Sequence, residues 1–334
     1  MKFSDPRNYL ATQHVMRFIS EEIGIDLRLP DITVLNDSDC YFSDFLEEKE
    51  IKEYEIPEFM FGMGALTAVA FCMGFVDLHL ENIVAVGKKP IIIDPECMLY
   101  NFAIGNSTDN RLWSTGLLSH NIHLSSLRGG ISKSHPLADF RMHCSEGIIK
   151  YRRNVHPHRN KVRMQSGDFA DPKNFKHDIL FGYDVAYECM TKRKSNFVSL
   201  LENSIANDAR IRYLARKTRH YTSVIYMLNL PSIYGDNWNN IVLSKLKNSG
   251  SFLDNLSPDM FQAEIHDISS RDVPYFWLKA GEDGKIYHST GIVHDLRLAQ
   301  SPKQQTIDDF ISLGEYEKQE QKSIIESFLD IDIS

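Results

Sequence analysis

From Phe59 to Val76 the chain carries no charged side chain, and Glu58 and Asp77 bracket the run. Such a stretch has few physical fates. Exposed to water, its apolar surface would cost about 25 cal/mol for each Å², so it has to be buried in a bilayer or in a protein core. Its length is close to the roughly 20 residues of a membrane span. Three glycines, Gly62, Gly64 and Gly74, interrupt it, and no basic flank follows. The run therefore reads as a buried helix leading straight into the polar loop at Asp77, and no membrane partner is expected. A chain of 334 residues with 43% hydrophobic content can build a large core around such a helix.

On either side the periodicity places further elements. Leu10, Val15, Phe18 and Ile19 recur at helical spacing and predict a helix over 9–23, followed by a turn-rich stretch over 24–57. Beyond the Asp77–Asn82 loop, apolar runs at Ile83–Val86 and Pro90–Ile93 flank a Gly87–Lys89 turn. They predict a β-hairpin that presents Asp94 at its end. Residues 101–176 are rich in Gly, Ser, His and Asn and read as an irregular, loop-heavy insertion. Helical patterns return over 178–230, 240–255 and 306–330; in the tail, Ile324, Ile325, Phe328 and Leu329 form a stripe suited to docking on the body. No repeat or linker interrupts the chain. One continuous body is expected, with a core over 1–100 and the insertion and helical region over 101–334.

The formal net charge of −8 excludes duplex nucleic acid as the main partner, since that needs a basic face. Cations nevertheless cluster over Arg152–Arg163 and Arg210–Arg219, which suits a phosphorylated ligand or an acidic peptide. By spacing alone the second cluster is a solvated basic helix face: Arg212 and Arg216 share a side, whereas Arg212 and Thr218 lie about 120° apart. The five cysteines are scattered, the usage of a reducing compartment, and the opening MKFSDPRNYL lacks the apolar stretch of a signal peptide. A cytoplasmic location is expected. The pairs His120/His123 and His156/His158 have no accompanying cysteine and read as surface or packing residues, and Gly129-Gly130 reads as a turn.

The chemistry concentrates in D77-L-H-L-E-N82 and, twelve residues on, I-I-I-D94-P-E96. Phosphoryl transfer needs a carboxylate to orient or deprotonate the attacking hydroxyl, and hard oxygen ligands to hold Mg²⁺ against the phosphates. An Asp followed five residues later by Asn, then by an Asp ending a strand, supplies that set. Asp77 is the candidate base, Asn82 and Asp94 the candidate Mg²⁺ ligands, His79 a buttress of the loop, and Glu96 a further carboxylate at the ATP site.

The line from Gly64 through Glu96 resembles the dehydratase domain of class II lanthipeptide synthetases, where D-x-H-x-E-N leads through a turn to a D-L-E ending. Downstream, R212-Y-L-A-R-K-T218-R-H-Y221 is similar to the family's R…R-x-T-x-x-Y segment, and D272-V-P-Y-F276 to its D-I-P-Y-F. The resemblance implies an α+β, lipid-kinase-like fold, here its mostly helical carboxy-terminal lobe with an elimination-associated insertion. It implies dehydration of Ser and Thr in a ribosomally made precursor peptide, by phosphorylation with ATP and Mg²⁺ and then phosphate elimination. Asp77, His79, Asn82 and Asp94 would serve phosphorylation; Arg212 and Thr218 would serve elimination.

The same family carries a phosphate-cradling segment and a lysine strand ahead of this region, and ungapped alignment puts Lys2 on that lysine. The expectation is that the amino-terminal lobe is missing, split onto another chain or truncated, with a separate chain as one source of that lobe or of the zinc-binding cyclase. Two alternatives remain open at this point: a kinase acting on another substrate, and a peptide-binding pseudo-enzyme without turnover.

Overall fold

The computed structural model describes residues 4–35, 40–104, 110–120, 122–128, 138–145, 148–155, 159–228, 244–246 and 257–332. Its chain divides into two compact units, Met1–Ala206 with Gln305–Ser334, and Asn207–Gln304. The seam thus falls after Ala206, not after residue 100, and separates two units where one body was expected. The cause is a long-range strand pairing, described below, that closes the second unit on itself.

In the first unit, α1 (Pro6–Ile23) starts where Asp5 accepts a hydrogen bond from the Arg7 amide at 2.9 Å, with Pro6 in the first turn. It stops at Gly24, whose φ of 72° lets the chain leave the helix without a Cβ clash. A short antiparallel pair follows, β1 (Ile32–Val34) with β2 (Tyr41–Ser43). The uncharged run becomes α2 (Ile56–Met73), opened by Pro57 and closed by Gly74 at φ 61°. It is long and apolar enough to cross a membrane, but 83% of its apolar window is buried inside the protein, as a core helix requires. Leu66, Val69 and Met73 are fully covered; burying one such side chain stabilises by about 1.5–3 kcal/mol.

After α2 come the loop at Asp77–Asn82 and the expected hairpin, β3 (Ile83–Val86) with β4 (Lys89–Ile92), paired Ile83 to Ile92 and Val86 to Lys89. Two single-turn helices, α3 (Asn101–Ile104) and α4 (Arg111–Ser114), lead to the segment expected to be irregular. It instead contains a hairpin of two eight-residue strands, β5 (Ala138–Ser145) and β6 (Ile148–Val155). Phe140, Met142 and Cys144 alternate with Asp139, Arg141 and His143, a period-two pattern obscured by the surrounding Gly, Ser and His content.

Next are α5 (Lys176–Lys192) and α6 (Lys194–Ser204). Packing of α5 on α2 depends on two glycines. A Cβ on Gly64 would lie 1.9 Å from the Ile179 carbonyl oxygen, and one on Gly182 would lie 2.0 Å from that of Phe61. Backbone meets backbone there, and no larger residue fits.

The second unit holds β7 (Arg210–Tyr213), α7 (Thr218–Leu228), α8 (Pro258–Ser269), β8 (Phe276–Lys279), β9 (Lys285–His288) and β10 (Gly291–Asp295). The strands form one antiparallel sheet in the order β10-β9-β8-β7. Arg210 to Tyr213 pair with Lys279 to Phe276, which draws together residues more than sixty positions apart. The helix expected across 178–230 is therefore broken by a strand, because Ile211 and Tyr213 bury on one side while Arg210 and Arg212 face the other. Of the helix expected over 240–255, only 244–246 are described, and they are helical.

The chain returns to the first unit through α9 (Pro302–Ser312) and ends in α10 (Glu315–Asp330). Ile325, Phe328 and Leu329 are fully buried, and the Phe328 ring meets Trp113 edge-on at 5.5 Å, so the tail docks as its stripe predicts.

Candidate active site

In the Asp77–Asn82 loop buried and outward residues alternate up to Leu80, and a turn then closes with Asn82 N donating to His79 O at 2.8 Å. Leu78 and Leu80 are buried, while the side chains of Asp77 and His79 keep 35% and 34% of their surface exposed. Main-chain bonds fix the loop: Leu78 N donates to Thr115 O at 2.7 Å and Leu80 N to Leu124 O at 3.3 Å, and the Ser126 hydroxyl donates to Leu78 O. Gly116 at φ 82° passes so close that a Cβ there would sit 2.8 Å from His79 N. Apolar anchoring at Leu78 and Leu80 thus turns the side chains of Asp77 and His79 outward.

Asp77 itself has φ 64°, the left-handed region that L-residues enter at a cost. Its carbonyl oxygen accepts a 2.7 Å bond from Asn82 Nδ2, which ties the two ends of the loop together. His79 Nδ1 accepts from the Glu81 amide at 3.2 Å, and Nε2 lies 3.6 Å from Asp77 Oδ1, an ion-pair distance. The imidazole thus lies beside the carboxylate.

The segment carrying Asp94 and Glu96 is stitched to this loop at both ends. Ile93 N donates to Asn82 O at 3.0 Å, and Val76 N donates to Cys97 O at 2.9 Å. Those two bonds run the segments side by side, with Asp77 and Asn82 on one and Asp94 and Glu96 on the other. Tyr41 adds a neighbour that sequence reasoning missed. Burial raises its phenol pKa above the ordinary tyrosine range, a hydrogen bond with Ser4 opposes this, and the charges of Asp94 and Glu96 raise it further. Its only sequence signal is an aromatic in a turn-rich stretch, some fifty residues from the carboxylates it senses.

The donor set fits Mg²⁺ chemically: one carboxylate and one amide oxygen are hard ligands, and that ion uses few protein ligands beside phosphates and water. Among the described residues, no three His, Cys, Asp or Glu side chains group as the ligands of a metal ion would. His120 stacks on Trp113 at 4.8 Å, in keeping with a packing role. Lys2, Gly129-Gly130, His156 and His158 lie outside the described residues.

Beside the loop, Asn160 Nδ2 donates to Ser126 O at 2.9 Å. Both residues line a shallow cleft, partly open to solvent, with Met60, Met63 and Lys161. Lys161 is only 8% exposed, its ammonium 4.8 Å from the Phe169 ring, and burial lowers its pKa to about 8.

In the second unit the basic cluster is no solvated helix face. Arg212 lies on β7, opposite Trp277, with its guanidinium 5.6 Å from the Tyr275 ring. Thr218 is the exposed first residue of α7, where helical N–H groups lack intrahelical partners. Between them Arg216 is buried and spent on Glu264, with Nε to Oε1 at 2.7 Å and Nη2 to Oε2 at 3.2 Å. Tyr221 donates its hydroxyl to the same Oε1 at 2.7 Å. Arg216 thus braces the strand–turn–helix that carries Arg212 and Thr218, and the expectation that it belongs to an exposed basic face is corrected. Glu264 carried no sequence signal, since it sits 48 positions away on α8.

Comparison with known proteins places the chain in context. A family model described as a domain of unknown function, DUF4135, matches residues 5–279. The lacticin 481/lactococcin biosynthesis protein LcnDR2 of Lactococcus lactis subsp. lactis is 25% identical over 259 residues. That match takes in 70% of this chain and 27% of the relative, so the chain spans about a quarter of the length of that curated protein.

Proposed function

The chain belongs to the DUF4135 family, and from that premise we propose that it carries out lanthipeptide-type dehydration of a ribosomally made precursor peptide. The likeness to a lacticin 481/lactococcin biosynthesis protein supports a role in modifying such a peptide. The observation that carries the mechanism is the stitched pair of segments, in which Asn82 ties back to the Asp77 carbonyl and Ile93 bonds to Asn82. On this reading the first unit is kinase-like, resembling the carboxy-terminal lobe of lipid kinases.

In the first step the Ser or Thr hydroxyl of the peptide attacks the γ-phosphorus of ATP and ADP leaves. Asp77 takes the hydroxyl proton, with His79 holding its carboxylate in place. Asn82 and Asp94 would hold Mg²⁺, which supplies charge neutralisation at the phosphates, and Glu96 stands beside them. In the second step the α-proton is lost to a base, the Cα–Cβ double bond forms, and the Cβ–O bond breaks to release inorganic phosphate. Arg212, with Thr218 at a helix start, grips the departing phosphate and stabilises its charge. A cyclase acting afterwards on the dehydrated peptide completes the proposal. The site of action is cytoplasmic, where ATP is available.

The test separates the two steps. Given a synthetic phosphoserine peptide and no ATP, the protein is expected to release phosphate and leave a dehydroalanine that adds thiols. Arg212→Ala should lower that rate by about 10²–10³, the loss of one preorganised donor. Asp77→Asn should leave it intact, while lowering phosphorylation of the serine peptide by about 10²–10⁴. Equal loss of elimination in both variants refutes the division of labour.

A further inference from the structure

We propose that Phe328 and Arg128 are positioning residues for phosphorylation: through them α10 holds the two segments that cradle the Asp77 loop. The proposal rests on the reading of Asp77 as the base of that step. It begins from a backbone that needs holding. Asp77 sits at φ 64°, and an L-residue keeps such a conformation only where its surroundings over-determine it. Two segments contribute. The first, 113–117, accepts Leu78 N on Thr115 O at 2.7 Å. The second, 124–128, accepts Leu80 N on Leu124 O at 3.3 Å and donates the Ser126 hydroxyl to Leu78 O. The two are also bonded to each other, Ser126 N to Gly116 O at 3.0 Å and Leu127 N to Leu117 O at 3.1 Å.

Each half of this cradle meets Phe328, near the close of α10. Trp113, in the first segment, meets the Phe328 ring edge-on, with 5.5 Å between centroids and 80° between planes. Arg128, in the second, donates from Nη1 to Phe328 O at 3.2 Å and also to Ile331 O. Both residues are buried. The last carbonyls of a helix have no partner inside it, and a buried guanidinium is costly unless its N–H groups are met. Here each need answers the other, which ties the helix end to the cradle. Lys173 with Asp332 at 2.7 Å and Lys176 with Asp330 at 3.0 Å add attractions at the same end. Those pairs lie at the surface, where an ion pair contributes little, so the buried residues are the principal grip.

A loosened grip has a specific consequence. If the bonds to Thr115 O and Leu124 O slacken, Asp77 is free to relax towards an ordinary φ, and its carboxylate turns away from the hydroxyl it serves. A misplacement of about 1 Å can cost about 10²-fold in rate. The ladder that carries Arg212 is made within the second unit, so phosphate elimination is not expected to share that loss.

The experiment uses the full chain and reads the loop and the chemistry separately. In hydrogen exchange followed by mass spectrometry, Phe328→Ala should speed exchange at Leu78 and Leu80 by about tenfold or more, as local opening becomes easier. Exchange at β8 serves as the internal reference and should stay as in wild type. With ATP, Mg²⁺ and a serine peptide, kcat for phosphorylation should fall about 10²-fold with the KM for ATP unchanged, while phosphate release from a phosphoserine peptide is kept. Phe328→Leu, close in size and apolar, should retain most of the rate. Should Phe328→Ala not fold, Arg128→Met removes the bonds to the helix end and should give the same pattern. Wild-type exchange at Leu78 and Leu80 in the folded variants overturns the proposal, as does an equal fall of phosphorylation and elimination, which marks a general loosening. If the wild type phosphorylates and Phe328→Ala keeps its kcat, the positioning role fails and the reading of Asp77 stands. If the wild type phosphorylates no peptide while Phe328→Ala still opens the loop, the hold on the loop stands and the reading fails.

Discussion

Replacing Glu264 by Gln changes almost no volume and removes one charge, yet it should be among the most damaging single substitutions in the second unit. Glu264 is fully buried, and its two oxygens take Arg216 Nε and Nη2 at 2.7 and 3.2 Å and the Tyr221 hydroxyl at 2.7 Å. The amide can still accept at one oxygen, but its NH2 group faces a donor, and the Arg216 cation keeps no counter-charge inside a desolvated site. Breaking a buried ion pair from one side costs about 3–5 kcal/mol, a factor of about 10²–10³ or more in the folded-to-unfolded ratio. Tyr221→Phe removes a single hydrogen bond to a carboxylate and should cost less, about 1.5–3 kcal/mol. The double replacement Arg216→Met with Glu264→Leu removes both charges together and should cost less than either alone. Urea unfolding followed by far-UV circular dichroism and tryptophan fluorescence gives the three values, with an unchanged slope showing that the unfolded state is the same. A loss below about 1 kcal/mol for Glu264→Gln, at constant slope, would mean that water reaches the pair. The brace beneath Arg212 and Thr218 would then be no brace.

Three further outcomes follow from the first unit. Gly64→Ala should destabilise by about 3 kcal/mol or more, because its Cβ has backbone at 1.9 Å and two packed helices must separate; a melting temperature equal to wild type refutes the contact. Asp77→Gly should be at least as stable as wild type, by up to about 1 kcal/mol from relief of the left-handed backbone, while losing phosphorylation; a clear loss of stability in calorimetry would make that carboxylate structural. Burial holds Lys161 at about 8 against the ordinary 10.5, so the unfolded chain binds this proton more tightly. Stability from this group is then lowest below pH 8 and rises through the window from about 8 to 10.5, by up to about 3 kcal/mol. Lys161→Met should be more stable at pH 7 and should flatten that rise, which denaturation across the pH series measures.

What the sequence determined by itself is local. An uncharged run between Glu58 and Asp77 had to be a buried helix, because no other backbone conformation satisfies so many peptide groups away from water. The Gly87 turn between two apolar runs required the hairpin that ends beside Asp94, and the spacing of Asp77, His79 and Asn82 announced one loop. Each of these signals lies within about twenty residues, where periodicity and turn chemistry act directly. Tertiary structure alone decided the rest. The strand at Arg210–Tyr213 exists because Phe276–Lys279 pairs with it, and that partner turned a stretch read as basic helix into a sheet edge. Arg216 is a brace and no surface cation because Glu264, on another helix, meets it in the dark of the core. Tyr41 reads the charge of Asp94 and Glu96 only because the chain folds back past them. In each case a residue's environment is set by segments remote in the chain, and an isolated charge or ring carries no record of what will be packed against it.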